Sequence, residues 1–191
     1  MDADILIWIN QSWGHPWLDN LFSWLSGKII FSFPLLGILI CYLGIRFGID
    51  GWKAGCFLLG LIIVSDGSGN LLKHILGQAR PCLDYAPQLR GLADNAFLAC
   101  SESSTGMPSN HALNFFVAWS FLATLIPRKS FQIGLLIIAI SVALSRVYLG
   151  AHFPSQVLAG ASLGIFIGYT VANIGIRRTH FLHALHKTGA R

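Results

Sequence analysis

Three short polar breaks interrupt a chain that is otherwise mostly apolar, and each carries residues able to do chemistry. KHILGQARP occupies 73–81, PSNH 108–111 and SRVYLGAHFPSQ 145–156. Between them they hold three cations (Lys73, Arg80, Arg146), two histidines (His111, His152) and the hydroxyl of Ser109. Charges beside hydrocarbon are costly, so their default reading is functional. This set suits a phosphate monoester. Arginine forks bind phosphate oxygens bidentately and lysine adds a point charge. Pro108 and Pro154 stand where helices begin, and a helix start offers free N–H groups and a positive dipole end. Two histidines can divide the work, one attacking phosphorus and the other protonating the departing oxygen. The eight acidic residues are scattered, leaving no carboxylate cluster for magnesium, so cations rather than a metal are expected to stabilise the transferring group. Taken singly, Lys73 reads as a snorkelling lysine, Arg146 as an interfacial anchor and His111 as a helix-terminal histidine. Three breaks complementary to one ligand outweigh those readings.

The elements that must position these groups follow from composition. Of 191 residues, 54% are hydrophobic and 11% charged, with a mean hydropathy of +0.62. Soluble domains carry about 25% charged residues, so a soluble class is excluded. The expected fold is all-α: an integral membrane helical bundle in a single domain, 1–191. A span needs about 20 apolar residues, and five segments qualify: Leu21–Gly44, Trp52–Ile75, Pro108–Ile126, Phe131–Gly150 and Pro154–Ile176. Residues 2–18, with Trp8, Trp13 and Trp17, are too short and interrupted to span. An interfacial helix is expected there, with partial insertion as the alternative. No basic n-region opens the chain, so no cleaved signal peptide is expected.

Antiparallel spans with short loops bring the three breaks to one membrane face. Eight lysines and arginines (Arg46, Lys53, Arg128, Lys129, Arg177, Arg178, Lys187, Arg191) lie on the other face or in the tail, against five (Lys28, Lys73, Arg80, Arg90, Arg146) on the face of the breaks. The positive-inside rule puts the C-terminus in the cytoplasm and loop 76–107 outside. The net charge of +5 thus reports orientation rather than a nucleic-acid partner.

Cys41 and Cys56 fall inside apolar runs, where buried inert thiols are expected. Cys82 and Cys100 share the polar loop and can pair if it faces an oxidising compartment. Asp66, in SDGSGN, reads as a helix-packing polar patch with Ser65, Ser68 and Asn70. His180, His183 and His186 recur every three residues in the tail, which an amphipathic helix explains as well as a metal site does. Lys28 reads as a headgroup anchor.

On these residues the chain resembles the type-2 phosphatidic acid phosphatase family. That family is marked by lysine, six residues and Arg-Pro; by Pro-Ser-Gly-His; and by Ser-Arg, five residues, histidine, three residues and aspartate. Lys73, Arg80 and Pro81 match the first element, and Pro108, Ser109 and His111 the second, with Asn110 in the glycine position. Ser145, Arg146 and His152 match the third, but Gln156 replaces its aspartate. The resemblance implies that His152 is the nucleophile, forming a phosphohistidine, and His111 the general acid. It implies phosphate binding by Lys73, Arg80, Ser109 and Arg146, helped by the backbone N–H of Asn110 or His111. Gln156 would orient the imidazole through its carbonyl but bring no charge, which implies a weaker nucleophile or charge supplied from elsewhere.

A chain this small and short-looped resembles bacterial members, implying an inner-membrane protein whose site faces the periplasm. Its partners would be water, the bilayer and a phosphorylated lipid: lipid A 1-phosphate, undecaprenyl pyrophosphate or phosphatidylglycerol phosphate. No cofactor and no obligate protein partner is implied. Two alternatives stay open at this point: a weakened lipid-phosphate-binding protein, motivated by Gln156, and a transporter, motivated by Asp66.

Overall fold

A computed structural model describes residues 1–90 and 105–189. The described chain forms helices α1 (Asp2–Ser12), α2 (Pro16–Ser26), α3 (Phe33–Leu76), α4 (Pro81–Asp84), α5 (Asn110–Leu125), α6 (Lys129–Tyr148), α7 (Pro154–Arg178) and α8 (His180–Gly189). A π-helical turn, Lys28–Ser32, leads into α3. The all-α membrane bundle expected from composition is the fold: three helical stretches, Lys28–Leu76, Lys129–Tyr148 and Pro154–Arg178, are long and apolar enough to cross a membrane.

The first of these stretches is a hairpin. Gly48 adopts φ 64° and ψ −142°, a combination open to glycine and closed to most L-residues. Beyond it the chain doubles back, so that a Cβ on Gly55 would lie 2.9 Å from Cγ2 of Ile40. In one straight helix those residues would stand about 22 Å apart. The two arms match the first and second expected spans, with one correction. The first arm starts at Lys28 rather than Leu21, because Pro16 opens a separate helix and Gly27, at φ −74° and ψ 122°, ends it.

Helices α5 and α7 lie side by side and parallel. Gly160 abuts the Ser109 carbonyl, Gly164 the Leu113 carbonyl and Gly168 the Val117 carbonyl. Small residues every four positions let two helix backbones approach closely in a membrane, and the Ser120 hydroxyl crosses the seam to the Gly164 carbonyl (3.2 Å). This contact fixes where His111, on α5, stands relative to the loop before α7. A Cβ on Gly164 would sit 2.5 Å from the Leu113 oxygen, so Gly164→Leu must push the helices apart. Overpacking of this kind costs about 1–3 kcal/mol or more. The expected result is a clear fall in the melting temperature in detergent; an unchanged melt would mean the seam is loose.

Residues 2–18 are not one interfacial helix. They fall into α1 and the start of α2, which pack against the end of α6 and the start of α7. Leu6 and Ile9 of α1 are buried, and Asn10 donates to the Tyr148 carbonyl at 2.9 Å. The carboxylate of Asp2 accepts from the backbone N–H of Ser155 at 3.1 Å and from its hydroxyl. Arg90 forks onto Asp19 at 3.0 and 2.6 Å and donates its backbone N–H to Asn10 at 2.6 Å. The Asp19 carboxyl is held below its ordinary range chiefly by the Arg90 bond. Arg90 is therefore a staple for the N-terminal helices, remote in role from the three cations of the polar breaks.

At the opposite end α8 docks through Leu182 and Leu185, both fully buried. The His186 ring bonds the Thr124 carbonyl at 3.0 Å, while His180 and His183 are exposed. Cys41 and Cys56 are free and exposed on the helix surfaces, correcting the expectation that they are buried; an apolar run in a membrane helix does not say which face meets lipid. Cys82 is disulfide-bonded, and Cys100 lies outside the described residues.

Candidate active site

The first break is built where α3 ends. Lys73 sits buried in its last turns, and Gly77, at φ 60°, terminates the helix. Ala79 then pairs with Thr105, and the Gly106 N–H reaches the Gln78 carbonyl at 2.7 Å. This pairing carries the buried Arg80 inward, its Nε donating to the Thr105 carbonyl at 3.1 Å.

The second break starts α5. The Ser109 N–H donates to the Gln156 carbonyl at 3.0 Å, tying the starts of α5 and α7 together. The Ser109 hydroxyl is fully buried and has no hydrogen-bond partner among the described residues, which fits an acceptor oxygen supplied by a ligand. The N–H groups of Asn110, His111 and Ala112 open the helix and have no acceptor one turn back.

Asn110, the departure from glycine, turns its side chain away from the phosphate groups. Its amide donates to the Asp66 carboxylate at 3.1 Å and to Asn70 at 2.8 Å. Asn114 adds a bond to Asp66 at 2.8 Å. Asp66 is thus a helix-packing group, as its sequence context indicated, although its partners on α5 were not foreseen. Ser68 stays outside this network, bonding the Val64 carbonyl at 2.8 Å. For phosphate binding, only the backbone of Asn110 is available.

The third break is a turn closed on itself. Gly150 takes φ 68°, and the N–H groups of Ala151 and His152 both return to the Arg146 carbonyl, at 3.0 and 3.1 Å. The five-residue spacing between arginine and histidine is therefore the length of one locked helix end. Both side chains are buried, near enough for the Arg146 charge to act on the His152 ring.

Gln156 completes this arrangement. Its Oε1 accepts from the Phe153 N–H at 3.3 Å, and its Nε2 donates to the Ala79 carbonyl at 2.8 Å. Backbone groups have fixed roles, so the amide cannot be flipped. The His152 Nδ1 faces the same Oε1 at 3.1 Å and must carry the proton, which leaves Nε2 with its lone pair. His152 stands in the turn between α6 and α7, outside the spans. Burial, then the charges of Arg146, Arg80 and Lys73, push its imidazole well below the ordinary 6.5, with Gln156 pulling weakly the other way. This direction favours the neutral ring. Replacing Gln156 with glutamate puts a negative charge beside Nδ1, which favours the imidazolium and raises that value. The acidic limb of the kcat/KM profile is therefore expected to move to higher pH in Gln156→Glu. A limb that stayed in place would detach it from His152.

His111 opens α5, and its Nε2 lies 3.1 Å from the Ser26 carbonyl. The Ser26 hydroxyl also accepts a short hydrogen bond from Arg146. Ser26 thus touches two of the expected groups and was missed in the sequence. The signal was there as a fourth polar break, Ser26-Gly27-Lys28, hidden inside the run read as a continuous span from Leu21. The charges of Lys73, Arg80 and Arg146 all reach His152, and those of Lys73 and Arg146 also reach His111. No hydrogen bond joins the two imidazoles among the described residues. The three breaks are tied together at one end of the bundle. Asn110, of which only the backbone N–H was expected to serve the site, bonds α3 with its side chain instead.

Comparison with known proteins supplies the family. Residues 54–179 match the PAP2 superfamily. The chain is 32% identical over 166 residues to phosphatidylglycerophosphatase B of Bacillus subtilis, covering 82% of this chain and 74% of that protein. It is 28% identical over 176 residues to a lipid A 4'-phosphatase of Bacteroides thetaiotaomicron, covering 88% and 74% respectively. Its fold superposes on the crystal structure of a transmembrane PAP2-type phosphatidylglycerolphosphate phosphatase from Bacillus subtilis with a TM-score of 0.70 at 26% identity, over 94% of this chain and 87% of that one. A buried histidine with a fixed tautomer, set among three cations and an orphan serine hydroxyl at one end of a membrane bundle, thus comes with the family match: the chain belongs to the PAP2 superfamily and is a membrane phosphoric monoester hydrolase.

Proposed function

We propose that the chain removes a phosphate, as monoester or pyrophosphate, from a membrane lipid of the lipid A 1-phosphate, undecaprenyl pyrophosphate or phosphatidylglycerol phosphate type. The reaction takes place at the periplasmic face of a bacterial inner membrane, with five crossings in one domain and the C-terminus in the cytoplasm. The observation that carries this reading is the Gln156 amide, which holds the His152 proton on Nδ1 and leaves Nε2 free.

The Nε2 lone pair attacks phosphorus while Lys73, Arg80, Arg146, the Ser109 hydroxyl and the N–H groups opening α5 hold the non-bridging oxygens. The bond from phosphorus to the leaving oxygen breaks, and His111 delivers a proton to that oxygen. The phosphoryl group now rests on His152. The His111 ring, neutral after its donation, takes a proton from water as that water attacks the phosphohistidine. The N–P electrons return to Nε2 and inorganic phosphate departs. His111 must exchange its bond to the Ser26 carbonyl for the leaving oxygen, and Arg146 its bond to the Ser26 hydroxyl for the phosphate. Asp66 has its carboxylate bonded to Asn70, Asn110 and Asn114, which weakens the motive for a transporter.

Phosphate release in detergent with a chelator present tests the proposal, using the three lipids and phosphatidic acid. Turnover is expected to survive chelation on at least one of them. No release from any would leave the chain a lipid-phosphate-binding protein.

A further inference from the structure

The groups above account for the phosphoryl side of the reaction and leave Lys28 unused. A lysine at the start of a spanning segment ordinarily extends to the headgroups and does nothing more. Lys28 has a more specific setting. A cavity of about 320 Å³ opens between the two arms of α3 and helices α5 and α6, lined at its polar end by Lys28, Asp66, His111 and Asn114. The rest of its wall is mostly apolar, with Leu39 and Ile62 as examples. Among the described residues Lys28 is the one lysine or arginine lining the cavity, and it makes no ion pair with any of them. Its charge is felt at both His111 and Lys73. A second observation points to a ligand. The Oδ1 of Asn114 is buried with no donor among the described residues, and the Asn114 bond to Asp66 fixes which amide atom it is.

Resting on the reading of His111 as the acid, the cavity is where the leaving group must lie, since the leaving oxygen stands at that ring. We propose that it is the leaving-group subsite and that Lys28 reads a second anion there. The substrate is then a lipid in which the leaving oxygen is followed within a few atoms by another negative group, with the lipid chain along the apolar wall. A diphosphate and a phosphodiester share that chemistry. The Asn114 acceptor favours the phosphodiester, because a glycerol leaving group also brings a free hydroxyl to donate. The cation faces the anion and the amide faces the hydroxyl.

The test compares kcat/KM for phosphatidylglycerol phosphate, undecaprenyl pyrophosphate and phosphatidic acid in phosphatidylcholine–detergent micelles, for the unaltered chain, Lys28→Ala and Lys28→Arg. Phosphatidic acid releases diacylglycerol, which has no second anion. Ratios to phosphatidic acid within one preparation do not depend on how much of it is folded. In Lys28→Ala the ratio for the two-anion substrate is expected to fall roughly tenfold, the loss of one charged hydrogen bond, and Lys28→Arg to retain most of it. A fall confined to phosphatidylglycerol phosphate supports the phosphodiester, and one confined to undecaprenyl pyrophosphate supports the second anion while replacing its source. Unchanged ratios for both overturn the proposal, leaving Lys28 a headgroup anchor. If the unaltered chain hydrolyses none of the three, the phosphatase reading falls first and this inference with it.

Discussion

Alanine at His152 is expected to abolish phosphate release, lowering kcat by roughly 10⁴-fold or more, as removal of a catalytic nucleophile does. The argument rests on what remains after the truncation. Gln156 keeps its bonds to Phe153 and Ala79, and the turn keeps its backbone bonds to the Arg146 carbonyl, which the His152 side chain does not make. The cations and the Ser109 hydroxyl stay in place, so the variant should fold and still bind phosphate. It lacks only the nitrogen that forms the new bond. Added imidazole is expected to restore a small part of the activity, because the vacated space lies beside the same Oε1 that oriented the native ring. Turnover within tenfold of the unaltered chain would assign the nucleophile elsewhere.

Alanine at His111 is expected to cost roughly 10²- to 10⁴-fold on a lipid substrate, the usual range for a general acid. The size of this loss should depend on the leaving group. A lipid alkoxide needs a proton as its bond to phosphorus breaks, whereas nitrophenolate is stable without one. The same variant should therefore lose much less on p-nitrophenyl phosphate than on the lipid. An equal loss on both substrates would make His111 a structural or phosphate-binding residue. The alternative role has a definite basis, since its Nε2 already bonds the Ser26 carbonyl at 3.1 Å and holds α5 against the end of α2. The comparison of leaving groups separates the two roles, and a melting curve alone would not.

Most of the chemistry was legible in the sequence because it is local. Lys73 and Arg80, Ser109 and His111, and Arg146 and His152 each lie within one helix end, where spacing alone fixes their relation. The Arg146 carbonyl closing onto residues 151 and 152 is the physical content of that spacing. What escaped depends on contacts between distant segments. Asn110 meets Asp66 across 44 positions, and Arg146 meets Ser26 across 120; neither pairing leaves a periodic trace. The Gln156 substitution looked like a weakened aspartate. In the fold its amide nitrogen satisfies the Ala79 carbonyl while its oxygen orients His152, and a carboxylate there would leave that carbonyl without a donor. Hydropathy misled in two places. It merged Leu21–Ser26 into the first span, since apolar residues outweigh one serine-glycine break, and it left unresolved which helix faces meet lipid, so Cys41 and Cys56 were assigned to the core. The seam of glycines at 160, 164 and 168 was not foreseen, although its spacing of four is present in the sequence.

The central claim is that the phosphoryl group passes through His152. The most direct test mixes the enzyme with lipid substrate carrying labelled phosphate, quenches in alkali within milliseconds and maps the label on the digested chain. A phosphoramidate is stable to alkali and labile to acid, so label that survives the first and is lost in the second, on the peptide containing His152 and absent from His152→Ala, is the predicted result. Turnover with label on another residue, or label that persists in His152→Ala, would contradict the account.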